Sequence, residues 1–249
     1  MVNLIPKSVY SKISIHSRNE FHKSLPRNPE PIREMAGTTP YQLPEGFVYL
    51  ADVDGSILQD VRYAGYNNFV GCPVDGYEAE KIVTTAVVAE ALKVVQADLV
   101  KNTGGRLTLV VYDAYRPQTA VDHFVVWASD TDDVKMKDQY YPQFEDKTLL
   151  FNGYIAKKSS HTRGSAVDLS IAVAGTNPLE VLPMGSDFDL LDPMSWYSCP
   201  DISETAKQNR ALLREIMLNQ GFEPYDKEWW HFRYIEEPFP DQYFSFPIR

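Results

Sequence analysis

Cysteine is scarce in this chain, which contains only Cys72 and Cys199 among its 249 residues. Two cysteines can form one bridge, which is too few for the disulfide framework of a small secreted domain, and no CxxC spacing is present. We therefore expect both to be ordinary reduced residues, because a free cysteine commonly packs as a small hydrophobic side chain.

Long apolar runs are also missing. No segment approaches the ~18 consecutive apolar residues of a membrane-spanning helix. The basic N-terminal stretch MVNLIPKSVYSKISIHSRNE lacks the continuous apolar run of ~7–15 residues that a secretory signal peptide contains. The sequence therefore predicts no membrane span and no export signal, and we expect a cytoplasmic protein, with the periplasm as the alternative.

Positive charge is in deficit, since 24 lysines and arginines stand against 34 aspartates and glutamates, a net charge of −10. Nucleic-acid binding depends on a basic surface that neutralises phosphates, so this balance argues against a nucleic-acid partner. Hydrophobic residues make up 44% of the chain, which is enough for a buried core. The length favours one sizeable domain.

The chain divides by composition near residue 40. Residues 1–40 scatter lysine, arginine, serine and proline without a period and predict an N-terminal extension. From residue 41 onward the patterns predict an α+β protein, with a small antiparallel or mixed central sheet flanked by helices. Asp201 and Glu204 resemble a capping box, and Gly104 and Gly221 end helices. The predicted strands cover residues 47–53, 107–115, 165–173 and 228–235, and the predicted helices cover 78–100, 118–129 and 204–219.

His161 and Asp168 stand seven residues apart in the stretch SSHTRGSAVD. Imidazole and carboxylate groups are both good zinc ligands. Gly164, Ser165 and Ala166 between them allow the backbone to turn tightly. Taken alone, the pair is more typical of an ordinary hydrogen bond between a histidine and an aspartate than of a metal site.

Glu228 and His231 lie in the stretch EWWH. A catalytic zinc site needs three protein ligands, an open position for water and a base beside that water. His231 can be a ligand and Glu228 the base only if the backbone departs from a regular strand, in which residues three apart point to opposite faces. Trp229 and Trp230 would then wall the site, although the same residues fit equally well as core with His231 packed among them.

Arg116 lies in the stretch YDAYRP, where a predicted buried strand ends and Pro117 opens a helix. A guanidinium at this position can stabilise an oxyanion or hold a substrate carboxylate. Asp113 can orient that guanidinium. A purely structural ion pair between the two residues is the alternative, and the motif alone favours it.

In combination and in this order, the motifs resemble those of the D-alanyl-D-alanine carboxypeptidase and dipeptidase superfamily of zinc peptidases, and most of all its VanX-type dipeptidases. The resemblance runs from about Gly46 to the C-terminus and implies the zinc D,D-peptidase fold, also called Hedgehog/D-Ala-D-Ala peptidase-like, in a catalytic domain over residues 41–249. It rests on the stretches DVRYAGYNNFVGCPVDGYE, YDAYRP, SSHTRGSAVDLS, MGSDFD and EWWHFRY.

The resemblance implies a role for each residue that matches these motifs. His161, Asp168 and His231 would bind one Zn²⁺ per chain. Glu228 would be the general base toward a metal-activated water, and Arg116 would stabilise the oxyanion. The substrate would be the small dipeptide D-alanyl-D-alanine.

A second set of residues would bind the substrate. Ser159 would contact its carboxylate, Asp187 and Tyr63 would hold its free amino group, and Asp113 is grouped with them. A dipeptidase must recognise both ends of its substrate and so needs a closed pocket, which the loop over residues 174–200, with Asp187, could supply.

Other functions stay open at this point. A D,D-carboxypeptidase or another zinc peptidase of peptidoglycan peptides would share the same motifs. A zinc-stabilised binding module without catalysis would need neither Glu228 nor Arg116. A serine hydrolase would have to use Ser159 or Ser165, but neither lies in a GxSxG elbow.

Overall fold

A five-stranded sheet organises residues 41–249, the part of the chain that the computed structural model describes. The predicted extension, residues 1–40, lies outside the described residues. The strands are β1 (Phe47–Tyr49), β2 (Leu58–Gln59), β3 (Val83–Thr85), β4 (Leu107–Asp113), β5 (Ala166–Val173), β6 (Phe222–Tyr225) and β7 (Glu228–Tyr234). The helices are α1 (Leu50–Val53), α2 (Ala86–Thr103), α3 (Gln118–Ser129), α4 (Lys137–Tyr140) and α5 (Glu204–Leu218).

The sheet is mixed, with strand order β2-β4-β5-β7-β6. β2 runs parallel to β4, and the other neighbours in this sheet are antiparallel. β1 and β3 form a separate antiparallel pair. The predicted α+β architecture, with a mixed sheet and flanking helices, is confirmed.

Two hydrophobic clusters hold the helices against the strands. In the first, Leu92 and Leu99 of α2 and Leu213 of α5 are buried together with residues of β4 and β5. In the second, Phe124 of α3 packs among aromatic side chains that include Tyr63. Burial of one such side chain contributes about 1.5–3 kcal/mol before the cost of ordering it. These clusters fix the strand ends that carry the candidate site.

The predicted helix over 78–100 begins later, at Ala86, and ends at Gly104 as expected. Gly104 caps it in the left-handed region, with φ of 62°. The preceding Val83, Thr84 and Thr85 form β3 instead, because β-branched side chains favour an extended backbone and β1 offers a partner. The predicted strand over 47–53 likewise ends at Tyr49, where α1 follows.

The capping box predicted at Asp201 and Glu204 was wrong by two residues. Ser203 is the N-cap of α5, and its hydroxyl accepts a hydrogen bond from the Ala206 backbone N–H at 3.2 Å. An N-cap side chain must reach the second or third helical N–H, and from this backbone Ser203 does so.

Cys72 and Cys199 are both free thiols, as predicted. Within residues 41–249, no helix combines the length and the apolar composition needed to cross a bilayer.

Candidate active site

Strand pairing brings three acidic and basic side chains to one place in the sheet. Asp168 on β5 lies opposite Asp113 on β4 and opposite His231 on β7. Directly opposed residues in an antiparallel pair have neighbouring side chains. The register of the sheet, rather than any local motif, therefore joins the distant SSHTRGSAVD and EWWH segments.

A single 3-10 turn, His161–Arg163, carries His161 into the same place, just before β5. The turn ends at Gly164, whose φ is +73°, and its carbonyl accepts the Thr85 backbone N–H at 3.2 Å. A Cβ at Gly164 would lie 2.4 Å from Cε1 of Phe47. Only glycine fits here without strain, because both the left-handed backbone and the close approach exclude a side chain.

The three predicted ligands each offer one donor atom, these atoms lie within 4.8 Å of one another, and the two Asp168 oxygens each face one of the imidazoles. His161 Nε2 lies 3.3 Å from Asp168 Oδ2 and 3.1 Å from His231 Nδ1, and His231 Nδ1 lies 3.0 Å from Asp168 Oδ1. Tetrahedral ligands on bonds of ~2.0–2.1 Å stand about 3.3 Å apart. The donor set of two imidazoles and a carboxylate therefore fits Zn²⁺ in both chemistry and spacing.

The partners of these ligands favour metal binding as well. His161 Nδ1 lies 2.7 Å from the Ala114 carbonyl oxygen, which can only accept, so Nδ1 donates and Nε2 of the neutral ring keeps its lone pair. Burial alone would raise the pKa of Asp168, but interaction with the neighbouring His161 and His231 rings holds that pKa well below its usual range. Asp168 is therefore ionised at neutral pH, which is the form that a metal ligand requires.

Arg116 is held rigidly beside this cluster. Its Nε donates to Asp113 Oδ2 at 2.9 Å, and its Nη2 lies 3.3 Å from Asp168 Oδ2. The guanidinium carbon lies 5.1 Å from the ring centres of both Tyr63 and Phe124. Such contacts fix a planar cation whose remaining N–H groups can point into a cavity.

Asp113 occupies a different position from the one that its grouping with substrate-binding residues implied. Its side chain is fully buried behind Arg116 and accepts a hydrogen bond from Tyr77 Oη at 2.6 Å. It does not line the cavity that Arg116 and His161 border. Since both of its oxygens are engaged by protein groups, Asp113 orients Arg116 and does not reach a substrate.

Glu228 faces the same side as His231 because β7 departs from regular pleating. Pro224 of β6 pairs with Phe232, but the next residue, Tyr225, pairs with Glu228. A regular ladder would pair Tyr225 with His231, so β7 contains three more residues than β6 at this point. Glu228 Oε2 consequently lies 3.9 Å from His231 Nδ1. Burial raises the pKa of Glu228 to about 8, and the negative charge of Asp168 adds to the rise. A carboxylate with a pKa near neutrality is suited to exchange protons.

These groups line one cavity of about 310 Å³. This volume lies at the small end of the ~300–1,000 Å³ of ligand pockets, which suits a compact molecule. Aromatic and aliphatic side chains form much of the wall. Among the lining residues are Tyr63, Arg116, Ser159, His161, Asp168, Asp189, Glu228, Trp230 and His231.

Asp187 does not line this cavity, and Asp189 occupies the position that was expected for Asp187. Asp187 is exposed and lines a neighbouring cavity. Asp189 is buried in the wall, where Tyr63 Oη donates to its Oδ2 at 3.0 Å. Burial, with the charge of Asp168 second, raises the pKa of Asp189 well above its usual range.

The sequence offers two acids in MGSDFD and no signal for choosing between them. Asp189 has φ of +64°, the one non-glycine residue in residues 41–249 with a positive φ. Aspartate is among the few residue types that tolerate this region. Because the left-handed residue redirects the chain, the direction of each side chain depends on the folded turn.

The two candidate serines differ in their position. Ser159 lines the cavity, and its Oγ accepts the His161 backbone N–H at 3.2 Å. Ser165 is completely buried and does not line the cavity. A nucleophile must be exposed to its substrate, so the position of Ser165 argues against the serine-hydrolase alternative for that residue.

The family model described as D-Ala-D-Ala dipeptidase, of the M15 peptidases, matches residues 44–249. Three relatives named D-alanyl-D-alanine dipeptidase are similar over nearly their whole length. The relative from Enterococcus faecium is 42% identical over 204 residues, which are 82% of this chain and 98% of the relative. Those from Enterococcus faecalis and Streptomyces coelicolor are 41% and 39% identical over 203 and 202 residues, with 98% of each relative covered and 82% and 81% of this chain.

Proposed function

The chain belongs to the D-Ala-D-Ala dipeptidase family of M15 metallopeptidases, and from this we propose that it hydrolyses free D-alanyl-D-alanine with one Zn²⁺ held by His161, Asp168 and His231. The observation that carries the proposal is that His161, Asp168 and His231 each offer one donor atom, all within 4.8 Å of one another, in a cavity that also contains Glu228 and Arg116. A structural zinc site would need neither of those two residues.

When bound, Zn²⁺ supplies Lewis acidity, which lowers the pKa of water and polarises a carbonyl group. Glu228 accepts a proton from the attacking water as the water oxygen bonds to the carbonyl carbon. Arg116 donates hydrogen bonds to the oxygen that becomes negative. Glu228 then returns the proton to the leaving nitrogen as the C–N bond breaks, so that two molecules of D-alanine form.

Recognition of the substrate ammonium group falls to Asp189 and Tyr63 in this proposal. Asp189 replaces Asp187 as the acid, since Asp189 is the one that lines the cavity. An ammonium beside Asp189 offsets the burial and the Asp168 charge that raise its pKa. Ser159, at the cavity wall, would donate its hydroxyl hydrogen to the substrate carboxylate.

We propose that residues 41–249 are the catalytic domain, with the zinc D,D-peptidase fold. The cytoplasmic location stays a prediction, with the periplasm as its alternative.

The buried acid favours a dipeptidase over a D,D-carboxypeptidase of longer peptides. A longer peptide has an acylated nitrogen in place of the free ammonium, so Asp189 would stay buried without a charged partner. A substrate that satisfies a buried polar group is preferred strongly over one that does not.

An activity panel tests the proposal. D-Ala-D-Ala, N-acetyl-D-Ala-D-Ala and L-Ala-L-Ala are compared with and without a chelator, and hydrolysis is followed by release of free amino groups. We expect turnover of the first alone, lost on chelation and restored by Zn²⁺. Preferred cleavage of the acetylated peptide would support the carboxypeptidase instead, and stoichiometric Zn²⁺ without any hydrolysis would support a binding module.

A further inference from the structure

Glu237 is a buried carboxylate that lies outside the cavity, with a side chain only 3% exposed. Arg163 donates to it twice, from Nε to Oε2 at 2.5 Å and from Nη2 to Oε1 at 2.7 Å. Arg233 donates from Nη1 to Oε1 at 2.5 Å. A two-pronged arginine–carboxylate bond of this kind fixes direction as well as distance.

Each of the two arginines follows a candidate metal ligand by two residues. Arg163 ends the single turn that begins with His161. Arg233 follows His231 along β7. One carboxylate therefore bonds to the two short segments that present the imidazoles.

Backbone pairing alone does not hold these two segments together. The register of β5 with β7 runs from Ala166 to Asp168, which places Asp168 beside His231. The turn that carries His161 precedes this register. The Tyr234 backbone N–H still donates to the Ser165 carbonyl at 2.8 Å, and Glu237 adds a side-chain connection from β7 to the turn itself.

Glu237 is ionised in this arrangement. Burial alone would raise its pKa, but hydrogen bonds from Arg163 and Arg233 lower it. Glu223, on β6, forms a second ion pair with Arg233. The cluster thus contains two cations and two anions, of which only Glu237 contacts both arginines.

A metal site is sensitive to small displacements of its ligands. Groups of a functional site must be held within about 0.5 Å of the productive geometry. Loss of the partners that orient metal ligands typically lowers metal affinity about 10–100-fold. A loosened His161 turn would let Nε2 move relative to the other two donor atoms by about 0.5 Å or more, which is beyond this tolerance.

We propose that Glu237 is a positioning residue of the metal site, which holds the His161 turn against β7 through Arg163 and Arg233. This inference rests on the proposed ligand set of His161, Asp168 and His231. It concerns affinity and coordination geometry, and Glu237 itself contacts neither metal nor substrate.

The matched pair Glu237→Gln and Glu223→Gln tests the proposal in the full chain. Both variants neutralise an acid that pairs with Arg233, but only the first breaks the bond to Arg163. The Zn²⁺ dissociation constant is measured by competition with a chromophoric chelator, well below the melting temperature of each metal-free variant. We expect about tenfold weaker binding for Glu237→Gln and no more than a twofold change for Glu223→Gln.

The visible absorption of the Co²⁺-substituted protein gives a readout that stability alone would not move. We expect a changed band shape for Glu237→Gln and the wild-type spectrum for Glu223→Gln. Equal Zn²⁺ affinities and identical spectra for both variants would overturn the proposal, even if Glu237→Gln lowers the melting temperature.

A second variant keeps the test decisive if Glu237→Gln folds poorly. Arg163→Lys keeps the charge but loses the two-pronged bond, so we expect weaker Zn²⁺ binding and no further loss when Glu237→Gln is added. Full additivity of the two changes would contradict a joint role. Failure of the underlying ligand set is distinguishable, since wild type would then bind no stoichiometric Zn²⁺ at all.

Discussion

Glu228 and His231 lie three residues apart on one strand, yet their side chains face the same cavity, with Glu228 Oε2 3.9 Å from His231 Nδ1. The irregular register of β7 against β6 makes this possible. A proposed base and a proposed metal ligand are thereby adjacent in one cavity.

Glu228→Gln should remove proton transfer while keeping the size of the side chain. We expect kcat to fall by about 10²–10⁴-fold, the usual contribution of a general base. Zn²⁺ content should stay stoichiometric in elemental analysis, because the three ligands are untouched. Glu215→Gln, at an exposed position on α5, is the control and should have wild-type kcat. Normal turnover by the Glu228 variant would rule out its role as base.

The raised pKa of Glu228 predicts a pH dependence of stability in the metal-free protein. The pKa rises from 4.5 to about 8 on folding, so the folded state favours the neutral acid. Its stabilising effect is complete below about pH 4.5 and is lost as pH rises toward 8, with a total on the order of a few kcal/mol.

Urea unfolding of the chelator-treated protein measures this effect. The free energy of unfolding of Glu228→Gln, minus that of wild type, should increase from pH 5 to pH 8.5, since glutamine cannot ionise. Using the difference cancels the titration of the other groups. A difference that stays constant over this range would show that Glu228 has an ordinary pKa in the folded protein.

Asp189→Asn should weaken recognition of the substrate amino group. Loss of one partner of a buried charge pair costs about 2–5 kcal/mol, so we expect kcat/KM for D-Ala-D-Ala to fall by about 30-fold or more. Asp187→Asn, two residues away on the same turn, should change kcat/KM less than about twofold, because Asp187 is exposed and outside the cavity. The reverse order of effects would restore Asp187 as the recognition residue.

Gly164→Ala should destabilise the fold through the His161 turn. The added Cβ would meet Phe47 Cε1 at 2.4 Å, on a backbone with φ of +73°. Backbone strain and overpacking each cost about 1–3 kcal/mol, so we expect a loss of roughly 2–6 kcal/mol in thermal or urea unfolding.

Gly175→Ala is a matched control for the steric part of that loss. Gly175 has φ of +76°, but no atom lies within 4 Å of the position that an added Cβ would take. We expect only the backbone cost of about 1 kcal/mol at this site. Equal losses for the two variants would show that contact with Phe47 contributes nothing.

The amino-acid pattern by itself determined the family and most of the regular elements. Short apolar runs with β-branched residues predicted β4 and β5, the stretch EWWHFRYI predicted β7, and glycine marked the end of α2, because these signals depend on near neighbours in the chain. The motifs around His161 and His231 indicated a D-Ala-D-Ala dipeptidase, and the similarity over residues 44–249 confirmed this family.

Only the tertiary structure decided which side chains meet and which way they face. The choice between Asp187 and Asp189 depends on a left-handed residue within a folded turn, and the orientation of Glu228 depends on the register of β7 against β6. Asp113 lies behind Arg116 because its strand is buried, which no spacing in YDAYRP reveals. The bond between Glu237 and Arg163 likewise joins residues more than 70 positions apart. Local sequence determines local conformation, whereas the direction of a side chain follows from the packing of segments that are distant in the chain.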